Sequence, residues 1–257
     1  MIKILIVDDS SVVRRILIEV FSHETDIQVV GYARDGKEAL YLAEKLKPDI
    51  ITMDIMMPEM NGVDATRKIM ETWPTPILIM SSAIQSHADK LAFDAIQAGA
   101  LSIAIKPKVG EDYESIKAAL LTKVRLMSGL KVTRRKTVTR LPTPISLHTM
   151  AAASYRVRIV AIGSSTGGPG ALHAIFTRLP ARFPVPIVVA QHMTPGFIGG
   201  MAEWLSVSSP NPIKVAEHGE LLHAGTIYIA AESVHTGVTS DGRVGLKEGA
   251  EIEGARP

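Results

Sequence analysis

The sequence predicts an α/β protein in two parts: a doubly wound, five-stranded parallel sheet in the order 2-1-3-4-5, then a second domain that begins as α/β and becomes β-rich. Three observations carry this reading. In the first half of the chain, short apolar runs alternate five times with stretches of helical spacing. The length of 257 residues suffices for two cores, at roughly 100 to 200 residues per domain. The net charge of +2 hides a partition: residues 1–123 carry 14 Lys/Arg against 18 Asp/Glu, 124–158 carry 8 against none, and 159–257 carry 6 against 8. The expected organisation is therefore a domain over 1–123, a basic linker over 124–156 and a second domain over 157–257.

Strands are expected at 4–7, 27–30, 50–53, 77–80 and 101–105, all short apolar runs between helical stretches. Val12, Val13, Ile16, Leu17 and Val20 mark one helix face, and Ala39, Leu42, Ala43 and Leu46 mark another. The middle segment holds Arg134, Arg135, Lys136 and Leu141-Pro142-Thr143-Pro144, and lacks either periodicity. Without interleaved aromatics or a recognition helix it reads as a solvated tether, not a nucleic-acid arm.

The second domain opens with a strand at 158–162, a glycine-rich turn, and a helix around Leu172, Ile175 and Phe176. A strand at 186–190 follows, then a helix expected to start at Thr194-Pro195. Shorter strands are expected at 226–230, 234–239 and 244–247, with Ser240-Asp241-Gly242 as a turn.

Composition narrows the chemistry. The absence of cysteine removes disulfides, thiolate metal sites and cysteine nucleophiles. No apolar run approaches the ~18 residues of a membrane span, so the expectation is a cytoplasmic protein without a signal peptide or membrane insertion.

Asp8 and Asp9 follow the first strand and Asp54 follows the third, so in this strand order three carboxylates converge at one rim. Packed like charges favour a cation, and an incomplete all-oxygen shell suits Mg2+. Ser81 after the fourth strand and Lys106 after the fifth add a hydroxyl and an ammonium. Together these are the parts that receive a phosphoryl group.

Val7-Asp8-Asp9-Ser10, Met53-Asp54-Ile55-Met56-Met57-Pro58, Ser81 and Lys106-Pro107 resemble the receiver domain of two-component response regulators, a flavodoxin-like fold. The resemblance implies that Asp54 is the phosphoacceptor and that Asp9, Asp54 and the Met56 carbonyl ligate Mg2+, with Asp8 assisting through water. It also implies that Lys106 pairs with the phosphorylated centre and that a cis peptide precedes Pro107. Ile103 stands where many receivers place an aromatic switch residue, which puts a ring-rotation output in question.

Gly163-Ser164-Ser165-Thr166-Gly167 matches G-x-S-x-G between a strand and a helix, the setting of a nucleophile elbow. A phosphate-cradling loop would supply a lysine, and none occurs between Lys136 and Lys214. His192, just after the neighbouring strand, is the preferred base among eight histidines. Asp241, in a hairpin turn, is a poor third member, so this reading yields a nucleophile and a base without an orienting acid.

The order of receiver, basic linker, Gly-Ser-Ser-Thr-Gly-Gly-Pro and Gln191-His192-Met193 closely resembles the chemotaxis protein-glutamate methylesterase family, CheB. The resemblance implies hydrolysis of glutamyl methyl esters and deamidation of glutamines on methyl-accepting chemoreceptors, by Ser165 and His192 with Ser164 and Thr166 lining the site and no cofactor. It implies a chemotaxis histidine kinase as phosphodonor. The family's catalytic aspartate lies in a G-M-G-x-D-G type segment that would follow residue 257, so a member cut short inside its catalytic domain is expected. The alternative is a receiver or phosphate-sink module without catalysis.

Overall fold

The computed structural model of the chain describes residues 1–82, 86–107, 113–133 and 157–250, the side chains of 86–89 excepted. It forms two compact units, Met1–Lys136 and Thr137–Pro257.

In the first unit the strands β1 (Ile2–Val7), β2 (Ile27–Ala33), β3 (Ile50–Asp54), β4 (Ile77–Ser81) and β5 (Ser102–Ile105) make a sheet in the order β2-β1-β3-β4-β5. Every pairing in it is parallel. β3 and β4 are buried along their whole length, which is why their sequences are continuous apolar runs without alternation. The strands run slightly beyond the apolar runs, so Asp54 and Ser81 are their last residues.

Helices α1 (Ser11–Ser22), α2 (Gly36–Leu46), α3 (Gly62–Thr72), α4 (Ser86–Ala98) and α5 (Tyr113–Ser128) connect and follow the strands. Local caps fix their starts: Ser10 accepts from the Val13 N–H, Asp35 from those of Lys37 and Glu38, and Asn61 from that of Asp64. Leu17, Val20 and Phe21 of α1 and Leu120, Val124 and Met127 of α5 share one core with Ile4 and Ile6 of β1. Gly62 is tightly constrained, because a Cβ there would stand 2.0 Å from the Asp54 carbonyl oxygen. Glycine thus lets α3 start against the end of β3.

α5 continues past residue 123, where the linker was expected to begin. Val124 and Met127 keep its buried stripe going amid basic residues, and Arg125 pairs with Asp26 and Glu24. Residues 134–156, the rest of that segment, lie outside the described residues. The Lys106–Pro107 peptide is trans, not cis.

The second unit has a parallel sheet β6-β7-β9-β8, formed by β6 (Val160–Ser164), β7 (Ile187–Gln191), β8 (Ile213–Val215) and β9 (Ile227–Ile229). An antiparallel hairpin of β10 (His235–Val238) and β11 (Val244–Lys247) turns through Gly242 at φ 82°. Helix α6 (Gly168–Phe176) follows β6 and α7 (Ile198–Ser208) follows β7. α7 starts later than Thr194-Pro195, because Gly196 at φ 89° interrupts the chain. Its first N–H, that of Ile198, and the N–H of Gly196 just before the helix are held from afar: Glu232 accepts from both at 2.8–2.9 Å. Among the described residues no helix is long and apolar enough to cross a membrane.

One core contact carries a pH dependence. The Lys123 ammonium turns inward to the Ile103 carbonyl at 2.6 Å, and burial pushes its pKa down to about 8. Unfolding releases this lysine to its ordinary value of 10.5, so between those values the unfolded chain binds the extra proton and stability rises with pH. Urea titrations followed by Trp73 fluorescence in a Trp204→Phe background are expected to show the parent gaining about 1–3 kcal/mol relative to Lys123→Met between pH 8 and 10.5. A parallel pH dependence of the two proteins would contradict this.

Candidate functional site

Both units place their chemically distinctive side chains where parallel strands end. In the first, Val7 pairs with Met53, so the next residues, Asp8 and Asp54, emerge side by side. Met80 pairs with Asp54 and Ile105 with Ser81, which brings Ser81 and Lys106 to the same rim.

There the Lys106 Nζ lies 2.7 Å from Asp8 Oδ2 and 2.9 Å from Asp54 Oδ1. All three side chains are buried, as is Ser81. Asp54 Oδ1 also accepts from the Ile55 N–H at 2.7 Å, and Asp8 Oδ1 accepts from Ser10 N–H at 2.9 Å. The Asp54 Oδ2 keeps no such protein partner among the described residues. Asp9 is exposed, yet carboxylate oxygens of Asp8, Asp9 and Asp54 lie within 4.8 Å of one another. Met56, expected to offer its carbonyl, follows two residues after Asp54 on an exposed loop.

Burial raises the Asp54 pKa; the Lys106 hydrogen bond and charge oppose the shift without cancelling it, and Asp8 adds to it. For Lys106, burial works against the ammonium, but its bonds to Asp8 and Asp54 outweigh that and leave the pKa raised. Three formal negative charges against one positive leave an anionic oxygen cluster, which suits a small divalent cation such as Mg2+. Sequence reasoning did not single out Arg14, whose guanidinium donates to the Asp8 and Asp9 carbonyls at 2.7 and 3.0 Å. It holds the turn that carries both acids.

In the second unit Ser164 and Gln191 are the last pair of the β6–β7 register. Ser165 and His192 therefore leave the sheet together, both exposed. Ser165 Oγ is 3.4 Å from His192 Nδ1, and the His192 N–H donates to the Ser164 carbonyl at 2.8 Å. Gly167, at φ 78°, turns the chain into α6, with Thr166 half-buried in the turn. With Nδ1 facing the hydroxyl, Nε2 is the nitrogen left to carry the proton of a neutral ring.

Among the described residues no carboxylate hydrogen-bonds the His192 ring. Glu217 pairs with Lys214, Glu232 caps α7, and Asp241 binds Thr239 and Arg243 in its hairpin. Gln191, by contrast, lies at the centre of the strand-end network: Ser164 Oγ–H donates to its Oε1 at 2.7 Å, and its Nε2 donates to the carbonyls of Ser165 and His192 at 2.9 and 2.8 Å. The signal for it was a polar residue at the buried parity of β7, after Ile187 and Val189.

Residues 4–117 match the response regulator receiver domain family, and residues 160–257 match the CheB methylesterase family. The chain is 41% identical to protein-glutamate methylesterase/protein-glutamine glutaminase 2 of Methanospirillum hungatei, over 94% of this chain and 70% of that one. It is 44% identical to the Nitrosospira multiformis protein-glutamate methylesterase/protein-glutamine glutaminase, over 100% of this chain and 74% of that one. Among solved structures, the CheB response regulator domain of Thermotoga maritima is 36% identical, covering 51% of this chain and 98% of that one with a TM-score of 0.47. The T. maritima CheB methylesterase catalytic domain is 42% identical, covering 40% of this chain and 56% of that one with a TM-score of 0.38.

The buried acid makes a stability test available. Because its folded pKa is raised, ionising Asp54 penalises the folded state; the penalty is absent below the ordinary carboxylate value and complete above the raised one. Asp54→Asn, which keeps shape and acceptor, is expected to equal the parent near pH 3 and to exceed it at pH 7 in metal-free urea titrations. A parent that gains on the variant as pH rises would contradict the assignment of burial as the dominant effect.

Proposed function

The chain belongs to the CheB family of protein-glutamate methylesterases/protein-glutamine glutaminases with a receiver domain, and from that premise we propose how its residues divide the work. It is a phosphorylation-regulated chemotaxis methylesterase. The relatives' shared naming favours this over a receiver acting only as a phosphate sink.

In the first unit Asp54 is the phosphoacceptor. Lys106 and the Ile55 N–H hold its Oδ1, which leaves Oδ2 to attack phosphorus as the donor's leaving group departs. Asp9, Asp54 and the Met56 carbonyl would hold Mg2+, with Asp8 assisting through water. The ion, when bound, neutralises charge on the phosphoryl oxygens. Lys106 already sits between Asp8 and Asp54 and accompanies the phosphorylated side chain, and Ser81 offers its hydroxyl at the same rim. The phosphodonor is a chemotaxis kinase carrying phosphohistidine, and the site of action is the cytoplasm.

In the second unit Ser165 is the nucleophile, His192 the general base, and Ser164 and Thr166 line the site. Ser165 Oγ attacks the carbonyl carbon of a glutamyl methyl ester while His192 takes its proton. The imidazolium returns that proton to the departing methoxide, releasing methanol, and water then hydrolyses the acyl-serine to free glutamate. With a glutaminyl side chain the leaving group is ammonia. The substrate is a side chain on a methyl-accepting chemoreceptor.

The observation that carries this reading is the paired emergence of Ser165 and His192, 3.4 Å apart, from the last register pair of β6 and β7. Two labels test it. Radiolabelled phosphoryl from a small phosphodonor with Mg2+ is expected on Asp54, and to vanish in Asp54→Asn and in excess EDTA. A fluorophosphonate probe is expected on Ser165, its attachment slowed by about 10²-fold or more in His192→Ala. Undiminished labelling of Asp54→Asn, or a probe carried by another residue, would overturn the corresponding half.

A further inference from the structure

We propose that Gln191 is a positioning residue of the esterase centre, its side-chain amide fixing the two backbone segments that present Ser165 and His192 to each other. This rests on the reading of Ser165 and His192 as nucleophile and base.

Gln191 is 9% exposed and ends β7. A buried amide needs partners for both halves, and each partner here belongs to the reacting loops. Its oxygen takes the Ser164 hydroxyl, one residue before the nucleophile; its nitrogen uses both hydrogens, on the carbonyls of Ser165 and His192. The orientation is fixed by this set, because a flipped amide would point its oxygen at two carbonyl oxygens. One side chain therefore ties the nucleophile's peptide to the base's peptide across the gap between strand ends.

The Ser165 carbonyl also accepts from the Gly168 N–H at 2.8 Å. Held by two donors, its peptide plane is fixed, and the N–H of the same peptide belongs to Thr166. That N–H meets no protein acceptor among the described residues. In a nucleophile elbow the residue after the nucleophile supplies an oxyanion donor, so holding the Ser165 carbonyl also sets the direction of that donor.

Gly168 shows how closely the amide is seated. A Cβ at this position would stand 2.0 Å from the Gln191 Oε1 and 3.0 Å from the Ser164 Cβ. Any side chain there displaces the amide, which makes Gly168 part of the same device and gives the proposal an independent handle.

The test uses the 257-residue chain, with two readouts: the rate of fluorophosphonate attachment to Ser165 across pH, and kcat and KM for methanol release from methylated receptor. Gln191→Ala is expected to lower kcat and the attachment rate about 10²-fold, with KM within about twofold of the parent, since small misplacements of reacting groups have effects of that order. Gln191→Glu keeps the acceptor for Ser164 but loses both donors, and is expected to fall as far. Gly168→Ala should fall similarly with Gln191 intact. Combining it with Gln191→Ala should cause little further loss, because the amide that the methyl meets at 2.0 Å is then gone and only the 3.0 Å contact with Ser164 Cβ remains. A parental kcat in Gln191→Ala or Gln191→Glu, a change confined to KM, or additive losses in the double variant would overturn the proposal. Ser165→Ala separates the two levels: full activity in that variant would sink the reading of Ser165 itself. An inactive Ser165→Ala beside an unimpaired Gln191→Ala would sink only the role of Gln191.

Discussion

Parallel register is the constraint on which the rest of this molecule depends. Two hydrogen-bonded parallel strands leave the sheet at the same edge, so residues beyond their last pair are neighbours however far apart they lie in sequence. Val7 opposite Met53 delivers Asp8 and Asp54, and Ser164 opposite Gln191 delivers Ser165 and His192. The same rule brings Lys106 to the acids from a strand at the far side of the sheet. The groups proposed for phosphoryl acceptance and those proposed for ester hydrolysis are thus each gathered by one geometric device used twice.

The two sites differ in how they manage charge. The first buries an ammonium between two carboxylates, an arrangement that carries a desolvation penalty and leaves net negative charge. That residual charge would favour a divalent cation at this rim. At the second strand end the network centres on a neutral amide, that of Gln191, and Ser165 and His192 stay exposed. Gly168 packs closely against that amide, leaving no room for a side chain beside it.

Much of this was legible in the sequence, for reasons that can be named. Strands buried on both faces read as apolar runs, and β3 and β4 are buried throughout. The acids, the lysine and the serine stood out because strand order alone gathers them. What escaped lacked a local signal. β8 is three residues long and takes its stability from pairing with β9. The start of α7 is set by Glu232, more than thirty residues away, and no capping residue nearby marks it. The last turn of α5 was hidden by the charge pattern, in which Arg125 read as linker although Val124 and Met127 are core. Gln191 was visible as part of a motif, but its three hydrogen-bond partners come from the meeting of two loops and leave no local signal in the sequence.

The central claim is that phosphoryl chemistry at Asp54 governs ester chemistry at Ser165 in one chain. The most direct measurement is methanol release from methylated chemoreceptor with and without Mg2+ and a small phosphodonor, comparing parent, Asp54→Asn and Ser165→Ala. The expected result is a rate that rises with phosphodonor in the parent, stays at the basal level in Asp54→Asn and vanishes in Ser165→Ala. A phosphodonor response that survives Asp54→Asn, or hydrolysis that survives Ser165→Ala, would contradict the account.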